Sequence, residues 1–261
     1  YFDSTKAATS GAEHVRKILE GKFNKDQSIV MFPSQDPHDD YFLGANRVSF
    51  DRKVASVRAT TYIHTMVKRY IPDGDFSPSV KYPAHWSYSP ADDSFMKAWE
   101  AAHATRPTAS KQDIKRYQEL FGSLLHVVKY RPEIAAVMGR LGSCLTFPTD
   151  DLYQCMIRVL IYLARSSRIG TTFSAHTDSA NKLTAYADSD WGIARSTTGF
   201  VIMLAGGTVA SASRRQHCIS MSSTEAELVA LAECAIELLF IREVVQFIGH
   251  DINGPIEVAT D

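Results

Sequence analysis

Apolar positions recur along this chain in two periods. The helical spacing of i, i+3, i+4 and i+7 marks six segments. Residues 12–23 place Val15, Ile18, Leu19 and Phe23 on one face, and residues 60–70 do the same with Ile63, Met66, Val67 and Tyr70. The second pattern stops at the turn signal Pro72-Asp73-Gly74. Residues 114–128 carry Tyr117, Leu120, Phe121, Leu124 and Val128, and residues 152–165 carry Met156, Val159, Leu160 and Leu163. Between them, Arg131-Pro132-Glu133 introduces a shorter helix over 134–141. The longest helix runs over 222–249, with Leu228, Leu231, Ala235, Leu238 and Val245 on one stripe and Gly249 as its C-cap.

Short, strand-like runs fill most of the rest. Residues 41–50 read as a strand interrupted by glycine, with a hairpin partner over 53–58. Residues 183–188, 199–205, 208–213 and 256–260 are four further strands, the middle two joined at Gly206-Gly207. Strand, strand, strand, helix, strand is a mixed α/β unit built on a three-stranded antiparallel meander. Residues 72–112 differ: five prolines with Gly, Ser and Asp between them predict an extended connector with at most one helical turn near 95–102. Its Trp86, Tyr88 and Trp99 read as packing aromatics in preference to base-stacking ones.

Composition narrows the class. A chain of 261 residues, 45% hydrophobic and 22% charged, can bury a real core. The net charge of −1 leaves room for a local basic patch. The four cysteines form no C-x-x-C pair and the nine histidines no H-x-x-x-H pair, which argues against zinc and for reduced thiols in an intracellular protein. No apolar run nears the roughly 20 residues that span a bilayer.

Candidate chemistry concentrates in the last third. Asp188 closes the strand 183–188, Glu227 lies early in the long helix, and Asp261 ends the strand 256–260. Two strand ends and a helix start can bring three acids to one point. Converging carboxylates repel one another unless a hard, oxygen-seeking cation such as Mg²⁺ lies between them. Two such ions about 4 Å apart activate a water and stabilise a leaving oxygen in phosphodiester hydrolysis. Each acid also has an ordinary reading. Asp188 could start a turn with Ser189-Asp190, and Asp261 could be a frayed end. Glu227 could close a capping box with Thr224, although the Ser222/Glu225 box half a turn earlier would leave it free. Arg214 and Arg215 after the third strand, and Arg195, Ser196 and Thr197 in the preceding loop, could grip phosphates or be solvated loop ends.

The blocks Ala185-Tyr-Ala-Asp-Ser-Asp-Trp-Gly192, Arg195-Ser-Thr-Thr-Gly-Phe200 and Ser222-Ser-Thr-Glu-Ala-Glu-Leu-Val-Ala-Leu231 resemble, in order and spacing, the ribonuclease H domain of copia-type retrotransposon polyproteins. Residues 117–125, Tyr130-Arg-Pro-Glu-Ile134 and 159–163 resemble the connection that precedes that domain, and residues 23–44 with the Tyr62-Ile63 helix resemble the end of the reverse transcriptase. Tyr1-Phe-Asp-Ser4 sits where the family has Tyr-x-Asp-Asp, with Ser4 in place of the second Asp, so polymerase activity is not expected.

The resemblance implies a reverse transcriptase remnant over 1–71, the Pro-rich connector over 72–112, a helical connection over 113–182 and a ribonuclease H-like domain over 183–261. The last would lack the family's final strand, helix and fourth metal-site residue, as in a piece of a longer polyprotein. It further implies catalytic and metal-binding roles for Asp188, Glu227 and Asp261, two Mg²⁺ ions with Mn²⁺ as substitute, and RNA/DNA hybrids as substrate. The alternative is a non-catalytic, retroelement-derived subunit whose open sheet edge a protein partner covers.

Overall fold

A computed structural model describes residues 40–49, 53–175, 182–192, 195–249, 252 and 254–260. The helix expected over 12–23, the Tyr1–Ser4 turn and Asp261 lie outside the described residues.

The fold is mixed α/β, with two four-stranded sheets and six α-helices among the described residues. The first sheet has the order β1 (Asp40–Phe42), β2 (Ala45–Ser49), β3 (Val54–Arg58), β4 (Thr171–Ser174), antiparallel throughout. The glycine interruption is a tight hairpin: Leu43 and Gly44 both have positive φ, 50° and 85°, and turn β1 back onto β2. β4 lies within the span expected to be helical connection. Its four residues are too short for a pattern of their own and become a strand by pairing with β3, more than a hundred residues earlier.

Between β3 and β4 lies a helical body. It comprises α1 (Thr60–Tyr70), α2 (Asp93–Thr105), α3 (Lys111–Val127), α4 (Ala135–Gly142) and α5 (Asp150–Arg165). Tyr117, Leu120, Leu124, Met156, Val159, Leu160 and Leu163 from the expected helix faces are all buried there, together with Ile63 and Val67. The Pro-rich span holds more order than its composition suggests. In place of a single turn, α2 runs for 13 residues, because Asp92 caps it by accepting from Ser94 N and Phe95 N, and because Phe95 and Ala102 are buried in the body. The extended stretch before it is tied down by Arg165, whose guanidinium donates to the carbonyls of Phe76, Tyr82 and Pro83.

The second sheet is the ribonuclease H-like one, in the order β7-β6-β5-β8. β5 (Leu183–Asp190), β6 (Thr197–Leu204) and β7 (Gly207–Arg215) form the antiparallel meander, and β8 (Glu257–Ala259) lies parallel to β5. α6 (Ser223–Phe247) covers one face. Strand alternation sorts the side chains: Leu183, Ala185, Ala187, Phe200 and Ile202 point to α6 and pack with Cys234 and Leu238. Tyr186, Asp188 and Asp190 therefore point to the opposite face, where α4 lies across β7. That approach requires small residues. A Cβ on Gly139 of α4 would stand 3.0 Å from the Ser213 carbonyl of β7. The two sheets also meet, with Ser174 N donating to Ala205 O at 2.9 Å and the Phe173 ring lying against Gly207.

Candidate active site and nucleic-acid cleft

β5 runs two residues beyond the expected strand end, so Asp188 lies inside the strand, opposite Gly199 of β6, and Asp190 pairs with Thr197. With no side chain on Gly199, the space beside Asp188 stays open, and Asp188 is exposed. Its Oδ1 accepts from Ser189 N at 2.7 Å.

Glu227 is freed for other work by the helix register. Ser222 Oγ accepts from Glu225 N at 3.2 Å, and Glu225 Oε2 accepts from Met221 N at 2.6 Å. The earlier of the two capping boxes is thus the one that forms, with the carboxylate reaching the amide before the cap. Glu227, on the next turn, sits against β5, where its Oε1 accepts from Ser189 Oγ at 2.8 Å. Its Oε2 is buried without a hydrogen-bond partner. Ser189 thus touches both acids, one through its amide and one through its hydroxyl. The two carboxylates come to the strand from different sides, Asp188 from the α4 side and Glu227 from the α6 side. Among the described residues, no three His, Cys, Asp or Glu side chains are grouped to hold a metal ion. β8 runs toward the Asp188 end of β5, with Ala259 opposite Tyr186.

The fit to a hard cation rests on Glu227 Oε2. A buried carboxylate oxygen without a donor is costly, and a divalent ion, like an ordered water, is a partner that satisfies it. Asp188 and Glu227 supply oxygen donors of the kind Mg²⁺ takes.

Asp188 also lines a cleft of about 420 Å³ between the helical body and the sheet. Asp190, Arg195, Thr197, Gly199, Ser213 and Arg215 line its sheet wall, and Trp99, Arg140 and Ser143 its helical wall. The loop residues singled out from sequence separate here. Arg195 is exposed at the cleft and Thr197 is half-buried on its wall. Ser196 is fully buried: its carbonyl accepts from Gln216 N at 2.9 Å and its hydroxyl from Gly192 N at 3.5 Å, so it fastens the loop. Arg214 and Arg215, being adjacent on β7, point to opposite faces. Arg214 Nε pairs with Glu233 of α6 at 3.0 Å, whereas Arg215 shares the Asp188 face. Two residues to which the sequence reading gave no structural role hold the site together. Buried Gln216 donates to Thr198 Oγ1 and to the Ala226 carbonyl in the first turn of α6. Trp191 Nε1 donates to Ser220 O, tying the end of β5 to the entry of α6.

The chain is similar over 153 residues, at 30% identity, to a retrovirus-related Pol polyprotein from transposon RE2 of Arabidopsis thaliana, a match covering 55% of this chain and 10% of the polyprotein. A second Arabidopsis polyprotein, from transposon RE1, matches 82% of this chain at 26% identity, over 14% of its own length. Its homologues are retrovirus-related Pol polyproteins, consistent with a segment of a copia-type retrotransposon polyprotein. Relative to those Pol polyproteins it spans roughly a tenth of their length. The chain is also similar to a secreted RxLR effector protein 161 of Plasmopara viticola, 33% identical over 130 residues that make up 48% of this chain and 90% of that protein. No protein-family model and no solved structure matches the chain. No helix among the described residues is long and apolar enough to cross a membrane.

Proposed function

We propose that this copia-type Pol segment carries a ribonuclease H activity that hydrolyses the RNA strand of RNA/DNA hybrids. The observation that carries the reading is the Ser189 link. Ser189 bonds to Asp188 through its amide and to Glu227 through its hydroxyl, and the buried Glu227 Oε2 has no hydrogen-bond partner. Asp188 and Glu227 would hold Mg²⁺ or Mn²⁺, and Asp261, one residue beyond the described stretch that follows β8, is the third acid of the set. When bound, such ions lower the pKa of a bound water and take up charge on the leaving oxygen.

The chain's own part is positional. β5 and α6 fix two acids through one serine. Gly199 leaves room beside Asp188 for a phosphate, and Arg195 and Arg215 offer charge to neighbouring phosphates. Selection of the RNA strand would rest on contacts to 2′-hydroxyls across a minor groove.

The test is cleavage of a labelled RNA/DNA hybrid in Mg²⁺ by the parent chain, Asp188→Asn and Glu227→Gln. Parent activity is expected, with a loss of at least a hundredfold in each variant and unchanged circular dichroism. No cleavage by folded parent protein in Mg²⁺ or Mn²⁺ sinks the reading.

A second reading, a non-catalytic subunit of retroelement origin, has one observation in its favour. A protein named as a secreted effector is matched over 90% of its length by 130 residues, about half of this chain. On that reading the short edge strand β8 and the exposed α6 residues Ile236, Phe240 and Phe247 would meet a protein partner.

A further inference from the structure

The helical wall of the cleft is built around one arginine. Arg140 lies near the end of α4, with its guanidinium carbon 5.2 Å from the Trp99 ring centre and its Nη2 3.4 Å from Asp190 Oδ2. Its backbone is held by the same tryptophan. Trp99 Nε1 donates to Arg140 O at 3.1 Å and to Ser143 Oγ at 3.0 Å, and Ser143 Oγ donates to Arg140 O at 2.6 Å. An arginine fixed at both backbone and side chain loses less freedom on gripping an anion than a loose one. Asp190, its present partner, is 71% exposed, so the pair is worth little and yields readily to a stronger ligand.

Charge in the cleft is arranged for an anion. Asp188 and Asp190 line it with Arg140, Arg195 and Arg215; Arg214 also borders it, but its guanidinium is taken up by Glu233 of α6. Burial together with the charges of Arg215 and Arg106 pushes the His103 pKa down, so both cations are felt at α2, behind the cleft. In a chain of net charge −1, the cleft is thus lined by four arginines against two aspartates.

We propose that Arg140, working with Arg215 across the cleft, binds backbone phosphates of the nucleic acid, so that the helical body forms half of the substrate-binding surface. The inference rests on the nuclease reading only for its choice of ligand, an RNA/DNA hybrid. A phosphate suits Arg140 because the guanidinium fork can turn from Asp190 to two phosphate oxygens while staying on the Trp99 face. Arg140 is a positioning residue and touches no bond that breaks.

The test is hybrid binding by the whole chain across a range of salt concentrations in EDTA, where arginine–phosphate contacts persist and hydrolysis does not. Each lost phosphate contact lowers the log–log salt slope by about 0.9 for a duplex. Arg140→Gln is expected to lower the slope by about one and to weaken binding equally for unrelated sequences. Arg140→Lys should keep the slope. The Arg140→Gln/Arg215→Gln double variant should lose about two. Arg69→Gln, at an exposed arginine that pairs with Glu119 and does not line the cleft, should change nothing.

A slope that Arg140→Gln leaves unchanged overturns the proposal, as does a folded parent chain that fails to bind the hybrid. A chain that binds through Arg140 and never cleaves keeps this inference and sinks the nuclease reading. Cleavage with an unchanged slope does the reverse.

Discussion

At the scale of single residues, hydrogen bonds decide what each carboxylate does. Asp92 and Glu225 are used up by helix starts; Glu227 is not. Asp92 shows the consequence of such a commitment. Burial works to raise its pKa, but hydrogen bonds from Ser94, the Arg158 guanidinium and the Phe95 amide outweigh it and hold the pKa at about 2. A folded-state pKa below the unfolded value of about 3.9 gives stability that is present above pH 4 and lost as pH falls toward 2. The stability gap between parent and Asp92→Asn, from urea titrations, should therefore be largest at pH 5 and shrink by pH 2.5. A gap that is constant with pH would show that the ion pair to buried Arg158 contributes nothing.

At the scale of elements, the register of α6 sets the site. Ser222 at the cap leaves Glu227 one turn into the helix, facing β5. Replacing Ser222 with Ala should cost about 1 kcal/mol in chemical denaturation, the usual worth of such a cap. If α6 instead restarted on the Thr224/Glu227 box, the cost would vanish, and cleavage would fall because Glu227 would turn to the helix amides. Most helix faces were legible in the sequence because a buried stripe every 3.6 residues is dictated by geometry. α2 was not: it lies between Pro90 and Pro107 in a span whose composition reads as a connector, and the Asp92 cap together with burial of Phe95 and Ala102 stabilises all 13 residues.

At the scale of the whole molecule, the nuclease-like sheet meets both the helical body and the first sheet. α4 of the helical body lies on β7 through Gly139, and Phe173 of β4 lies on Gly207 of β7. A Cβ on Gly207 would come within 2.5 Å of the Phe173 ring. Gly207→Ala should then destabilise the fold by about 1–3 kcal/mol, as overpacking does. Separation of one thermal transition into two would locate the loss at this joint. If stability is unchanged, the ring is not packed against β7 in solution.

The strand order of the meander and the long helix were readable from sequence, because both depend on contacts within a few residues or on a periodicity that local geometry enforces. Asp188 and Glu227 stood out as candidates through the blocks around them, and the sequence offered two capping boxes between which only the folded helix chose. Tertiary structure alone decided the rest. β4 exists because β3 pairs with it, and Arg214 and Arg215 part company because adjacent strand residues face opposite ways. Ser196 is buried while Arg195 stays exposed. Trp99 and Arg140, 41 positions apart, became one wall of the cleft only when α2 and α4 packed together over β7. Side chains brought together by packing leave no trace in local spacing, so such a wall can be read only from the folded chain.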